Sequence, residues 1–459
     1  MFYKLKDNYA LRGWSDLEYA IVDFYRGEIQ FLNKFIYTVL SLCNGNVDSA
    51  MMLPSQLKII EILSHTGIIE ELPESKPIAP EQYYKKVTCR YMSTAHWSIT
   101  GKCNLRCIHC YMSAPQAKYG ELTTEQCFEI IEKLRQANIY KVSLTGGEPL
   151  VRKDFWEIVD KLIDSKIFIH QIYTNGVLVN DRFIQRLKKR NIYPEISISY
   201  DGFGYHDWIR GVDGIEKKVL KAIDTLVKEG FDVSIEMSLN RKNISSLSKS
   251  VFLMASLGVS NIKATPTSNS GNWIGENESY TLTCSELYDA YLAFIKDYKM
   301  AGAPIDIMLG GFFACRKGEA KYVVPFEKYK GVEPEKIPGM PVCGSARKNM
   351  YIAADGKVLP CIPLSGLPIQ DTMPDITKVD LIDVLGDSSY ISAITTEQKE
   401  IYEKNKSCSK CKYKLLCGGG CRAGALISDN DYLGKDASAC YFFKNDYRQK
   451  IEKIYSKTN

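Results

Sequence analysis

The chain has 459 residues, 59 Lys+Arg against 54 Asp+Glu, and a formal net charge of +5. That excess is too small and too dispersed for a nucleic-acid-binding protein, and no apolar run is long enough to span a bilayer. Residues 1–8 lack the apolar core of a signal peptide, so the expected compartment is a reducing cytoplasm, where the 15 cysteines are ligands or catalysts rather than disulfides.

Residues 1–88 read as a small separate module. Runs at 19–25 and 28–32 are β-like and flank Arg26 and Gly27. A helical pattern follows at 34–42, ended by Gly45, and an amphipathic helix is predicted at 54–65 with Ile59, Ile62 and Leu63 on one face. Residues 67–73 read as a last strand or wing. Residues 74–86, with Pro77 and Pro80, read as a linker.

From residue 94 the period changes. Strands are predicted at 95–100, 141–145, 168–173, 195–200, 233–239 and 261–264. Helices are predicted at 124–136, 154–164, 181–189, 214–229, 243–257 and 285–298. Strands alternating with helices in this way imply a parallel sheet, with chemistry at the carboxyl ends of the strands. From about residue 302 the alternation stops and Gly, Pro and Cys become frequent. Metal ligands are expected to help hold that segment together.

Cys103, Cys107 and Cys110 form a C-x3-C-x2-C run followed by Tyr111. Three thiolates can hold three irons of a four-iron cluster and leave the fourth open. Zinc with His109 is the alternative, but zinc sites usually pair two ligands with two more in a second knuckle. Gly146, Gly147, Glu148 and Pro149 follow the second strand, where two glycines let the backbone approach a ligand closely. A second constellation is Cys343, Gly356-x4-Cys361, Cys408-x2-Cys411-x5-Cys417-x3-Cys421 and Cys440. Paired zinc knuckles are the alternative there. Cys43 and Cys127 lie on apolar helix faces and read as packed core. Cys89 and Cys284 stay undecided, and a reachable thiol could donate a hydrogen atom. No general base stands out.

On these motifs the chain resembles the radical S-adenosylmethionine (SAM) enzymes. Its second constellation closely matches the SPASM extension of peptide- and protein-modifying members over residues 305–445. The resemblance implies an open iron that chelates the amino and carboxylate groups of SAM and releases a 5′-deoxyadenosyl radical. It implies that Gly146, Gly147, Glu148 and Pro149 contact the SAM amino group. Asn175, Ser199 and Asp201 resemble the family's ribose contacts, and Arg210 would pair with the SAM carboxylate. Cys408, Cys411, Cys417 and Cys440 would hold a distal auxiliary [4Fe-4S] cluster, and Cys343, Cys361 and Cys421 a proximal one. Cys315 is the candidate fourth proximal ligand; without it that iron is open to a substrate thiolate.

The expected architecture is α/β. A partial (β/α)6 TIM barrel at 93–300 lies between a winged-helix-like precursor-peptide recognition domain at 1–88 and an Fe-S-rich SPASM domain at 301–459. The implied cofactors are three [4Fe-4S] clusters and SAM. The implied partners are a precursor peptide with leader and a reducing electron donor such as flavodoxin or ferredoxin, with no nucleic acid and no membrane. The function implied is that of a maturase of ribosomally made peptides, of the sactisynthase, SCIFF-maturase or streptide-synthase type, forming an oxidative intramolecular cross-link and most often a thioether. Carbon–carbon or carbon–oxygen cross-linking, peptide epimerisation and sulfatase-type formylglycine maturation are the alternatives. The last uses an aspartate directly after the cysteine matching Cys361, where this chain has Ile362. A non-catalytic electron-transfer protein is the reading from another class, and the SAM-binding set speaks against it.

Overall fold

Short apolar strands open the chain. β1 (Phe2–Leu5), β2 (Tyr9–Gly13), β3 (Ala20–Asp23) and β4 (Glu28–Phe31) precede a helix at Lys34–Leu42. β5 (Asn44–Asp48), a helix at Pro54–Thr66, β6 (Ile69–Leu72) and β7 (Lys85–Lys86) follow. The computed structural model describes residues 1–114, 118–275 and 277–456. The N-terminal strands form two sheets, in the orders β5-β1-β6 and β4-β3-β2-β7. Both helices pack on them through Val39, Leu40, Cys43 and Ile60 against Leu5, Leu11, Ile21 and Ile69. The unit therefore has seven strands, where sequence reading sees two β-like runs and a wing. β1, β2 and β5 lack clean alternation, and Gly45, expected as a helix stop, lies inside β5.

Two further features of this region stand out. The segment at 74–86 is a tie rather than a free linker: Lys76 N and Ile78 N donate to Gly45 O and Asn44 O, and β7 pairs with β2. The unit also packs against the barrel. Ala10, Trp14, Ala20, Val22 and Phe24 belong to one core with Leu134, Ala137 and Tyr140. Across that junction Trp14 Nε1 donates to Ala137 O at 3.2 Å, and Arg12 Nε to the Tyr140 hydroxyl at 2.8 Å.

The central sheet starts with β8 (Thr94–Ser98), β9 (Lys141–Thr145), β10 (Phe168–Thr174) and β11 (Glu195–Ser199). It continues through β12 (Val233–Leu239), β13 (Asn261–Pro266) and β14 (Asp306–Leu309), each parallel to its neighbour. The connecting helices are amphipathic. Ile130, Ile131 and Leu134 of Thr124–Gln136, and Phe183, Ile184 and Leu187 of Asp181–Lys189, are buried on the sheet.

The expected strands are present, and β14 adds a seventh in parallel. The C-terminal region then extends both edges. β15 (Phe313–Cys315) and β16 (Tyr322–Val323) add antiparallel after β14. β17 (Asn349–Ile352) pairs in parallel with β8, and β18 (Val358–Leu359) pairs with β17. The result is an eleven-stranded sheet. The expected division at 301 is thus crossed by sheet and core alike, since Met350, Tyr351, Leu359, Phe442 and Tyr447 pack with the barrel residues. Among the described residues, no helix is long and apolar enough to cross a membrane.

Candidate active site

The cysteine loop leaves the carboxyl end of β8 and is anchored on both sides. Arg106 N and Ile108 N donate to Arg210 O and Ile209 O, while Gly147 N and Glu148 N donate to Thr100 O and Lys102 O. Glycine is required at the β9 end because the two loops run in contact. A Cβ at Gly146 would stand 2.4 Å from Thr100 O, and one at Gly147 2.3 Å from Lys102 O.

Between these loops and the strand ends lies a cavity of about 290 Å³. Cys103, Cys107 and Cys110 line it together with Gly146, Gly147, Asn175, Ser199 and Arg210. Leu105 N donates to Cys103 Sγ at 3.4 Å, Ala114 N to Cys110 Sγ at 3.4 Å, and Arg210 Nη1 to Cys107 Sγ at 3.7 Å. Each sulfur thus has a donor in place for a thiolate. Burial pushes the Cys103 thiol up to about 12, so metal loading has to displace its proton. Three converging thiols facing open space suit a cluster with one iron free of protein. Among the described residues no three His, Cys, Asp or Glu groups gather tightly enough for a single metal ion. A four-iron cluster spaces its thiolates more widely than a single ion does.

Some expected SAM contacts stand behind the wall rather than on it. Asp201 is fully buried, and both its oxygens are engaged. Oδ1 accepts from Ser238 N at 2.9 Å, and Oδ2 accepts from Arg210 Nε at 2.6 Å. It holds Arg210 from behind the cavity wall. Burial raises its carboxyl, but Arg210, His109, His206 and the Ser238 amide together outweigh this and hold it below the usual carboxylate range. His206 Nδ1 accepts from Asp201 N at 3.1 Å, so this imidazole is neutral, and burial lowers its pKa to about 4.

Glu148 is likewise fully buried and does not line the cavity. Its carboxylate accepts from Asn175 N, Leu150 N and the Thr174 hydroxyl, tying β9 to β10. Burial pushes its pKa up to about 7. Pro149 is buried and opens the turn Pro149–Val151. On this side the cavity wall is formed by Gly146 and Gly147. Asn175 reaches the cavity and also donates to Asn104 Oδ1 at 2.7 Å, bracing the cysteine loop.

Among the cavity residues that sequence reading missed are Tyr173 and Glu236. Glu236 is on β12 beside Ser199, 3.3 Å from Lys263 Nζ, and burial raises its carboxyl pKa. A charged residue in the strand run at 233–239 was the available signal.

The C-terminal cysteines fall into two groups by their electrostatic neighbours. Cys361 is raised by burial and then by Cys421 and Cys343. Among the groups acting on Cys417 are Cys440 and Cys408, and Cys408 and Cys411 both act on Cys440. These groups fit one three-thiol and one four-thiol cluster site. Cys315 is a correction. β14 runs up to Leu309, the chain turns, and β15 runs back down, which pairs Cys315 with Ile307. Its sulfur lies near the amino end of β14 and donates to Lys321 O at 3.4 Å. Its titrating neighbours are Tyr298, Tyr455, Glu319 and Asp306, with no cluster cysteine among them.

A model of the radical SAM superfamily matches residues 97–249, and one of the SPASM iron-sulfur cluster-binding domain matches residues 343–412. The chain is 26% identical over 347 residues to the mycofactocin maturase MftC of Mycolicibacterium smegmatis, covering 74% of this chain and 80% of that one. It is 24% identical over 370 residues to an AdoMet-dependent heme synthase of Methanosarcina barkeri, covering 75% and 95%. In fold it resembles Streptococcus suis SuiB, solved bound to precursor peptide SuiA. The TM-score is 0.68 at 16% identity, over 96% of this chain and 100% of that one.

Proposed function

Since the chain belongs to the radical SAM enzymes that carry a SPASM extension, we propose that it matures a ribosomally made precursor peptide by oxidative intramolecular cross-linking, most often as a thioether. The observation that carries this is the combination in one chain of the cavity at the strand ends, seven further cysteines in two groups and an N-terminal unit with an open sheet edge at β4. That a maturase and a peptide-bound structure stand among its likenesses supports the reading.

In this account Cys103, Cys107 and Cys110 hold the SAM-site cluster, while Gly146, Gly147, Asn175, Ser199 and Arg210 bind SAM. Cys408, Cys411, Cys417 and Cys440 hold the distal auxiliary cluster, and Cys343, Cys361 and Cys421 the proximal one. When bound, these groups supply a hydrogen-abstracting 5′-deoxyadenosyl radical and an acceptor for the second electron, with a flavodoxin or ferredoxin as reductant. Glu236, facing the cavity with a carboxyl that burial makes more basic, accepts the proton released from the substrate. Asp201 holds the Arg210 guanidinium in register for a carboxylate. Forming a carbon–sulfur bond removes one hydrogen atom from carbon, one proton from sulfur and one electron.

The test is a precursor peptide deuterated at its side-chain and α carbons, incubated anaerobically with SAM and reductant. Deuterium in the 5′-deoxyadenosine places abstraction on the peptide. Unlabelled 5′-deoxyadenosine would contradict it.

A further inference from the structure

Cys417 and Cys421 belong to different cysteine groups, yet only three residues separate them. Gly418, Gly419 and Gly420 have φ of 53°, 74° and 76°, so the chain coils tightly between the two groups. A Cβ at Gly420 would lie 2.3 Å from the Asp436 side chain, which confines this turn to glycine. Asp436 also serves both sides. Its Oδ2 accepts from Cys421 N at 2.9 Å, and it caps the helix Ala437–Lys444, which carries Cys440.

Lys328 reaches into this junction from outside the cysteine segment. It is exposed as a residue, but its ammonium points inward and donates to Val342 O at 3.2 Å and to Gly420 O. Those carbonyls immediately precede Cys343 and Cys421, two of the three proximal cysteines. Gly420 N in turn donates to the carbonyl of distal Cys417 at 3.2 Å. Among the described residues no carboxylate forms an ion pair with Lys328; neighbouring Glu327 is taken by Lys330 and Arg448. Among the titratable groups acting on the ammonium are Arg422 and the thiols of Cys421, Cys343 and Cys417, from both groups. Arg422, the other cation here, donates to the carbonyls of Gly419, Gly420, Tyr432 and Gly434.

An inward ammonium without a carboxylate, beside Cys343, Cys417 and Cys421, needs anions to offset its desolvation. Clusters bound by thiolates carry net negative charge, and nearby charge and hydrogen bonds set their potentials. We infer that Lys328 is the shared counter-charge of both auxiliary clusters and raises their reduction potentials together. It is a positioning and tuning residue, and the inference rests on the reading that the seven cysteines hold those two clusters.

The test compares reconstituted wild-type, Lys328→Arg and Lys328→Gln holoenzymes by iron content and by redox titration followed by electron paramagnetic resonance. Iron confined to the SAM site in the wild type would remove the cluster reading and the inference with it. With three clusters present, Lys328→Gln is expected to keep its iron and shift both auxiliary potentials downward. The SAM-site cluster and Lys328→Arg should stay at wild-type values. If Lys328→Gln instead loses iron, loss from both auxiliary sites that Lys328→Arg restores supports a shared charge, and any other pattern of iron loss overturns it. Full iron with unchanged auxiliary potentials, or a shift at only one of them, also overturns it.

Discussion

Arg210 Nε lies 2.6 Å from Asp201 Oδ2, and that carboxylate has no exposed surface. The pair fixes a guanidinium of which a second nitrogen, Nη1, donates toward Cys107 Sγ. In the proposed reading Asp201 acts on SAM through Arg210. Asp201→Asn is expected to weaken SAM binding about tenfold, equivalent to about 1.4 kcal/mol. Arg210→Lys is expected to weaken it further, because an ammonium cannot reproduce the planar fork. Anaerobic equilibrium binding of SAM checks both, and iron content should be unchanged in Asp201→Asn.

Glu148 gives the chain a pH signature. Its carboxyl is pushed by burial from 4.5 up to about 7. Between those values the folded state holds a proton that the unfolded chain has released, so stability falls as pH rises. The contribution is complete below about pH 4.5 and lost above about pH 7, an amplitude of roughly 3 kcal/mol. Glu148→Gln removes that slope. Urea unfolding of the iron-free chain across this window should show the wild-type advantage over the variant shrinking as pH rises.

Trp14 is fully buried where the N-terminal sheet meets the barrel. Trp14→Ala is expected to cost about 3–5 kcal/mol. Because its neighbours belong to both parts of one core, the loss should appear in a single shifted unfolding transition. A separate early transition of the N-terminal unit would show that the two parts fold independently.

β4 is the free edge of its sheet. Leu32 N donates inward to Tyr19 O, so by alternation the amides of Phe31 and Ile29 point away from β3. Phe31→Pro removes one outward donor without touching the β3 ladder. If a leader adds to this edge, Phe31→Pro lowers peptide affinity several-fold more than Phe31→Ala does, while basal SAM cleavage stays at the wild-type rate. Fluorescence anisotropy of a labelled precursor measures the difference.

Much of the site is visible in the chain because metal chemistry fixes local spacing. Cys103, Cys107 and Cys110 sit close together in sequence, and Gly146 and Gly147 mark a backbone contact that tolerates no side chain. Most barrel strands are visible because they are short runs with buried Ile, Val or Leu bounded by turns. What stays hidden is non-local. Cys315 looks like a spare ligand until the reversal after β14 carries it to the far end of the sheet. Asp201 and Glu148 are plausible ligand contacts by position, yet their oxygens are spent on Arg210, Ser238, Asn175 and Thr174. The pairing of β17 with β8 joins residues some 250 positions apart, and no local periodicity encodes it.

The central claim is oxidative cross-linking of a peptide, and mass spectrometry of a candidate precursor tests it most directly. The peptide encoded beside the gene is incubated anaerobically with the holoenzyme, SAM and reductant. The account predicts loss of two hydrogen atoms per event, with fragmentation placing the new bond between a cysteine sulfur and a carbon. A peptide of unchanged mass that gains deuterium from deuterated solvent, or one left untouched while SAM is cleaved, would contradict it.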